Sequence, residues 1–276
     1  MKDFKLDLVG VGPQRTGSSW LYQMLQSHPA LCFPKNVKET MFFEKYSSKG
    51  LSWYAAHFRH QTDGQICGEI GPTYFDIETA PQQIYQLNPR CKIIVNLRHP
   101  LHRALSLYRH YLALGKVKGS FSQAAVQMPR LIDAGKYSKH LLRWIETFGE
   151  ERVFLLLLDD IESQPDRVLE KIYDFLKIES IEVPNRVKEK INSATMPRLP
   201  ILAKIATKIA IYLRANRWHN IVELGKKLGL RKVYAGQKAL PGLTGEEKER
   251  LLNIYQEDII FVEYLTKKSL KKWYEF

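Results

Sequence analysis

Residues 12–19 read GPQRTGSS, between an apolar run, LDLVGV (6–11), and a helix-like run, WLYQMLQSHP (20–29). A strand, a glycine-bearing turn and a helix in that order leave backbone N–H groups free at the helix N-terminus, where the helix dipole favours an anion. Gly12 and Gly17 let the backbone come close to a ligand, and Thr16, Ser18 and Ser19 add hydroxyl donors. Arg15 adds a permanent cation whose planar fork fits phosphate or sulfate. A Walker loop would carry lysine directly after its second glycine, with a hydroxyl on magnesium. Here Gly17 is followed by Ser18 and Ser19. The stretch therefore predicts a loop for a phosphate ester other than a magnesium-bound triphosphate. Taken by itself it is a weak signal, with an ordinary tight turn as the competing reading.

Working outward, residues 6–12 predict a first strand, and Trp20, Leu21, Met24 and Leu25 have the spacing of a helix over about 17–27. KIIVNL (92–97) is a β-branched buried strand, and a helix follows from Pro100, a residue suited to a first helical turn. VFLLLL (153–158) is a third buried strand, and PDRVLEKIYDFL (165–176) is a helix. Strands that are apolar throughout and separated by helices imply a parallel sheet covered on both faces, with ligands at the carboxyl ends of the strands. The 12–19 loop and Arg98 both lie at such ends. Ser106 follows about two turns into the next helix, and an Arg and a Ser so placed can grip a second phosphate. Residues 179–200 read as a long loop and 201–214 as a basic helix. TGEEKERLLNIYQEDIIFVEYL, from Thr244, reads as two helices, the first capped by Thr244 with Glu247 three residues on.

A chain of 276 residues, 45% hydrophobic and 11% aromatic, can bury a large core, and residues 1–276 are expected to form one α/β domain with helical additions. Cys32, Cys67 and Cys91 are widely spaced and odd in number, which argues against a disulfide framework and a zinc site. The N-terminus is too short in apolar residues and too charged for a signal peptide, and no apolar stretch reaches 18 residues, so a cytoplasmic protein is expected. The net charge of +13 is uneven: residues 198–238 hold ten Lys or Arg against one acid, Glu223. Such a segment attracts anions, or is simply a solvated face.

The two phosphate segments together resemble the sulfotransferase family that uses 3′-phosphoadenylyl sulfate (PAPS). Its 5′-phosphosulfate loop is similar to Pro13-Gln14-Arg15-Thr16-Gly17-Ser18-Ser19-Trp20-Leu21, and its 3′-phosphate segment to Arg98 and Ser106, with Tyr108 two residues on. The likeness is greatest to heparan sulfate sulfotransferases, their N-sulfotransferase domain in particular, and to bacterial relatives. It continues through LSWYAAHF, GEIGPTYFDIETAP, GKYSKHLLRWIETFG and LTKKSLKKW, and is poorest over 198–235. It implies a P-loop-like three-layer α/β/α fold with a central parallel sheet and extra C-terminal helices. It also implies PAPS as co-substrate, 3′,5′-adenosine bisphosphate (PAP) as product, and no metal.

Sulfuryl transfer requires a base for the acceptor proton and a cation for the leaving phosphate. In the glycan enzymes the base is a glutamate before two aromatic residues, which the resemblance carries to Glu39 in Lys38-Glu39-Thr40-Met41-Phe42-Phe43; composition alone would leave Glu39 a surface residue. The cation falls on Arg15, where the family usually has lysine and the tyrosylprotein enzymes have arginine. Arginine stays charged, so it can neutralise a leaving group but not protonate it. A second family lysine is replaced by Ile70, and Lys38 or Lys35 could compensate. Lys238, after Gly236-Gln237, corresponds to a late basic residue on the 3′-phosphate side. Trp20 and Tyr137 either flank the adenine or pack in the core. None of His57, His60, His99 and His102 lies where the cytosolic enzymes carry a histidine base.

Acceptor choice is expected around 35–60 and in 198–238, a basic helical insertion that would cover the acceptor cleft or else lie on an anionic membrane. The acceptor is a glycan, a glycolipid or a small metabolite. Nucleic acid is not expected, since no recognition motif accompanies the charge. Two other classes stay open: a non-catalytic module for anionic nucleotides or glycans, and a P-loop phosphotransferase.

Overall fold

The computed structural model describes residues 4–182, Leu213 and residues 241–275. The basic stretch 198–238, the helix expected at 201–214 and most of the loop at 179–200 lie outside the described residues, apart from Leu213. The elements in chain order are β1 (Leu8–Val11), α1 (Ser18–Leu25), β2 (Leu31–Cys32), α2 (Leu51–Ala55), β3 (Ile66–Ile70), α3 (Ala80–Leu87), β4 (Lys92–Leu97), α4 (Pro100–Ala113), α5 (Phe121–Gln127), α6 (Arg130–Asp133), α7 (Tyr137–Phe148), β5 (Val153–Leu157), α8 (Leu158–Ser163), α9 (Pro165–Leu176) and α10 (Gly245–Thr266). They fall into two compact units, 4–98 with 137–182 and 99–136 with 241–275.

The first unit holds a five-stranded sheet in the order β2-β3-β1-β4-β5. Every pairing is parallel. The central strand β1 is buried throughout, whereas the edge strand β5 is only partly buried over Val153–Leu155. Leu8, Ile70, Ile94 and Leu156 meet Leu21 and Met24 of α1, Ile161 of α8 and Leu169, Ile172 and Leu176 of α9 in one apolar cluster. The other face carries α7, which packs on β4, β5 and α3. Its Trp144 is fully buried and donates its indole N–H to the Phe75 carbonyl at 3.0 Å.

β4, α9 and the start of α4 fall where the sequence places them. β2 and β3 are strands the sequence does not announce, because one is two residues long and the other, ICGEI, carries a glycine and a glutamate. The third expected strand ends at Leu157, where the chain turns directly into α8.

In the second unit, α4 begins behind His99, whose Nδ1 accepts from the Leu101 N–H at 3.3 Å. Arg103 is wholly buried and donates to the Leu131 carbonyl at 2.6 Å, while Tyr255 of α10 donates to Ile132 O at 2.9 Å. The C-terminal segment is one helix of 22 residues, not two. No glycine or proline breaks NIYQEDIIF; Gln256 and Glu257 are exposed helix formers, and Asp258 is buried within the continuous helix. Its capping box is present: Thr244 Oγ1 accepts from Glu247 N at 3.1 Å, and Thr244 N donates to Glu247 Oε2 at 3.0 Å.

Candidate active site

The 12–19 loop leaves the central strand β1 and enters α1. Gly12 has φ 113° and Gly17 has φ 98°. A Cβ on Gly12 would stand 2.3 Å from the Asn96 backbone oxygen, so the turn passes hard against β4 and only glycine fits. Arg15 adopts a left-handed backbone at φ 79°, a strained conformation for a side-chain-bearing residue and one concentrated at functional sites. Thr16 is buried and its hydroxyl donates to the Pro13 carbonyl at 2.8 Å, holding the loop closed on itself. The α1 N-terminus has no side-chain cap and no acidic residue in its first turn, which suits it to an external anion. Arg98, at the end of β4, donates from Nη1 to the Arg15 carbonyl at 3.3 Å, joining the two predicted phosphate segments within the first unit. Tyr137 is buried and donates to the Arg98 carbonyl at 2.6 Å.

Glu39 comes to the same loop through one side chain. Lys38 Nζ donates to Ser18 Oγ at 2.9 Å and lies 3.3 Å from Glu39 Oε1. Lys38 and Glu39 are both partly buried, whereas Lys35 is exposed. Burial pushes the Lys38 ammonium down from its ordinary value, the Glu39 carboxylate opposes that, and the Arg15 charge adds to it.

The segment holding Glu39 is anchored from beneath. Glu69, wholly buried on β3, accepts from the Thr40 N–H, from Tyr54 OH at 2.7 Å and from Tyr74 OH at 3.0 Å. Desolvation raises its pKa to about 6, against the lowering effect of those bonds. Met41 then takes a left-handed backbone, φ 58°, and Phe42–Tyr46 form a single π turn. Phe42 stacks on Tyr54 at 4.6 Å and Phe43 meets Tyr74 edge-on at 5.3 Å. The two aromatic residues after Glu39 are thus buried pegs that fix its loop.

The other residues singled out in the sequence are placed as follows. Ser19 is partly buried at the start of α1. Trp20 packs in the apolar cluster of the first unit, the core alternative for that residue. Ile70 also lies in that cluster and faces away from Glu69. Ser106 and Tyr108 lie on α4 in the second unit, where Tyr108 OH donates to the Gly119 carbonyl at 2.6 Å. Lys238 lies outside the described residues. All three cysteines are free and buried. Sequence reasoning missed the role of Glu69; no local signal announces it, since ICGEI does not read as a strand and the donors to Glu69 come from other segments.

A parallel sheet with an uncapped anion loop at its central strand and a carboxylate tied to that loop defines a P-loop-like α/β group-transfer domain. The chain belongs to the sulfotransferase family: the sulfotransferase domain model matches residues 5–263. The bifunctional heparan sulfate N-deacetylase/N-sulfotransferase 1 of Caenorhabditis elegans is 31% identical over 190 residues, 62% of this chain and 22% of that protein. The corresponding enzyme 2 of Homo sapiens is 32% identical over 189 residues, 61% of this chain and 21% of that protein. The chain therefore spans less than a quarter of either relative. A sulfotransferase from Alicyclobacillus acidocaldarius of known crystal structure shares the fold, with a TM-score of 0.68, 19% identity and coverage of 99% of this chain and 100% of that one.

Proposed function

We propose that this protein transfers a sulfuryl group from PAPS to a hydroxyl or amine of a glycan, glycolipid or small metabolite, releasing PAP. The observation that carries the reading is the link between base and loop: one lysine touches both Ser18 of the anion loop and the Glu39 carboxylate. The loop residues fit the donor. The uncapped α1 N-terminus with Ser18 and Ser19 suits the 5′-phosphosulfate, and Arg15 supplies a permanent charge beside it. PAPS supplies the activated sulfuryl group when bound. Glu39 takes the acceptor proton, and the Glu69 clamp on Thr40 keeps it facing the loop. Arg98, Ser106 and Lys238 are assigned to the 3′-phosphate on their motif positions, and no metal is needed by a donor held in this way. The heparan sulfate enzymes among its relatives favour an acidic glycan acceptor. The basic stretch 198–238 suits the same acceptor, or a peripheral contact with anionic membrane, and nucleic acid is not among the partners. A cytoplasmic location is part of this proposal.

Calorimetric titration with PAP, with ATP and Mg²⁺ as control, tests the reading. Tight PAP binding lost in Arg98→Ala or Ser106→Ala is expected. Glu39→Gln is expected to keep PAP binding while losing about 10²- to 10⁴-fold in transfer to any acceptor found. Preference for ATP overturns the reading in favour of phosphotransfer. PAP binding with an unaltered transfer rate in Glu39→Gln removes Glu39 as the base.

A further inference from the structure

We infer that Lys38 is a catalytic residue, the cation that meets the charge developing on the leaving 5′-phosphate; the inference rests on the sulfotransferase reading above. An ammonium has three donors. One of those on Lys38 is directed to Ser18 Oγ at 2.9 Å and another faces Glu39 Oε1 at 3.3 Å. The third has no partner among the described residues and is open to a ligand oxygen at the same loop. Arg15 adds a second positive charge close enough to act on Lys38. Two cations at one partly buried loop suit a polyanionic ligand.

The alternatives are closed by placement. The side chain at position 70 lies in the apolar cluster with Leu8 and Leu21, where the Cβ of a larger residue at Gly10 would already meet Ile70 Cδ1 at 2.5 Å. Lys35 is exposed, and its backbone N–H donates to the His57 carbonyl at 3.1 Å. Lys38 alone among the three sits between base and loop. Glu39 takes the acceptor's proton as the new bond to sulfur forms. Lys38 donates to the oxygen that keeps the electron pair of the broken S–O bond. The lysine stays protonated throughout, so its neighbours need only hold it, and the hydrogen bond strengthens as that oxygen gains charge.

The test compares two ligands that differ only in the 5′-phosphate, PAP and 3′-AMP, titrated calorimetrically into the wild type, Lys38→Met and Lys38→Arg. Lys38→Met is expected to weaken PAP about tenfold to a hundredfold, to leave 3′-AMP unchanged, and to be largely rescued by Lys38→Arg. Lysine labelling of the wild type, read by mass spectrometry, gives the same answer should the variants misfold: PAP protects Lys38 and 3′-AMP does not. Wild-type PAP affinity in Lys38→Met, an equal loss of both ligands, or no protection by PAP overturns the proposal. A wild type that binds no PAP overturns the functional reading itself.

Discussion

Glu69 is a carboxylate with no exposed surface, and the three donors it accepts from explain why it is tolerated there. Tyr54 and Tyr74 are held protonated, their phenols pushed well above the ordinary value, first by burial and then by the Glu69 charge. Both therefore remain donors and aim at the ionised form. Burial still raises Glu69 from 4.5 to about 6. The folded state thus holds this proton more tightly than the unfolded chain. The stability it contributes is fully present below pH 4.5 and is lost as pH rises through about 6, a loss on the order of 2 kcal/mol. Urea denaturation of wild type and Glu69→Gln should show the wild type losing that amount relative to the variant between pH 4.5 and pH 7. A difference that does not change with pH would mean that Glu69 titrates normally. The sequence places Glu69 next to Ile70 in a family-like segment but says nothing of its donors, which come from residues 40, 54 and 74.

At the scale of elements, the strand–loop–helix unit β1–α1 was legible because all of its signals are local: apolar residues, two glycines, then helical spacing. The Thr244–Glu247 capping box was legible for the same reason. Thr244→Ala should cost about 1 kcal/mol of stability in urea titration, since the Glu247 N–H loses its acceptor. No change would mean that the first turn of α10 contributes nothing to the folded state. The division of that segment into two helices was wrong because amphipathic periodicity does not mark where a helix continues. β2 and β3 were illegible because their strand character comes from pairing: Leu31 with Ile66 and Cys32 with Cys67, then Gly68 with Leu8. ICGEI by itself has neither clean alternation nor an apolar run.

At the scale of the molecule, a charge of +13 with ten bases in residues 198–238 makes attraction to polyanions strong at low salt and weak once the Debye length falls below about 10 Å. Replacing Lys204, Lys208, Arg214 and Arg217 together by Gln should lower the salt concentration at which the protein leaves a heparin column. Unchanged retention would assign the attraction to the rest of the surface. The amino-acid sequence by itself determined the strand–loop–helix turn at 12–19, the parallel α/β class and the family, since their signals are local residue patterns. The tertiary structure decided that Lys38 reaches back to Ser18, that Glu69 holds Thr40, and that Ile70 turns into the core. Those outcomes depend on strand register and on which face of the sheet each side chain takes. A shift of one residue would exchange Glu69 for Ile70, and long-range packing, not local pattern, sets that choice.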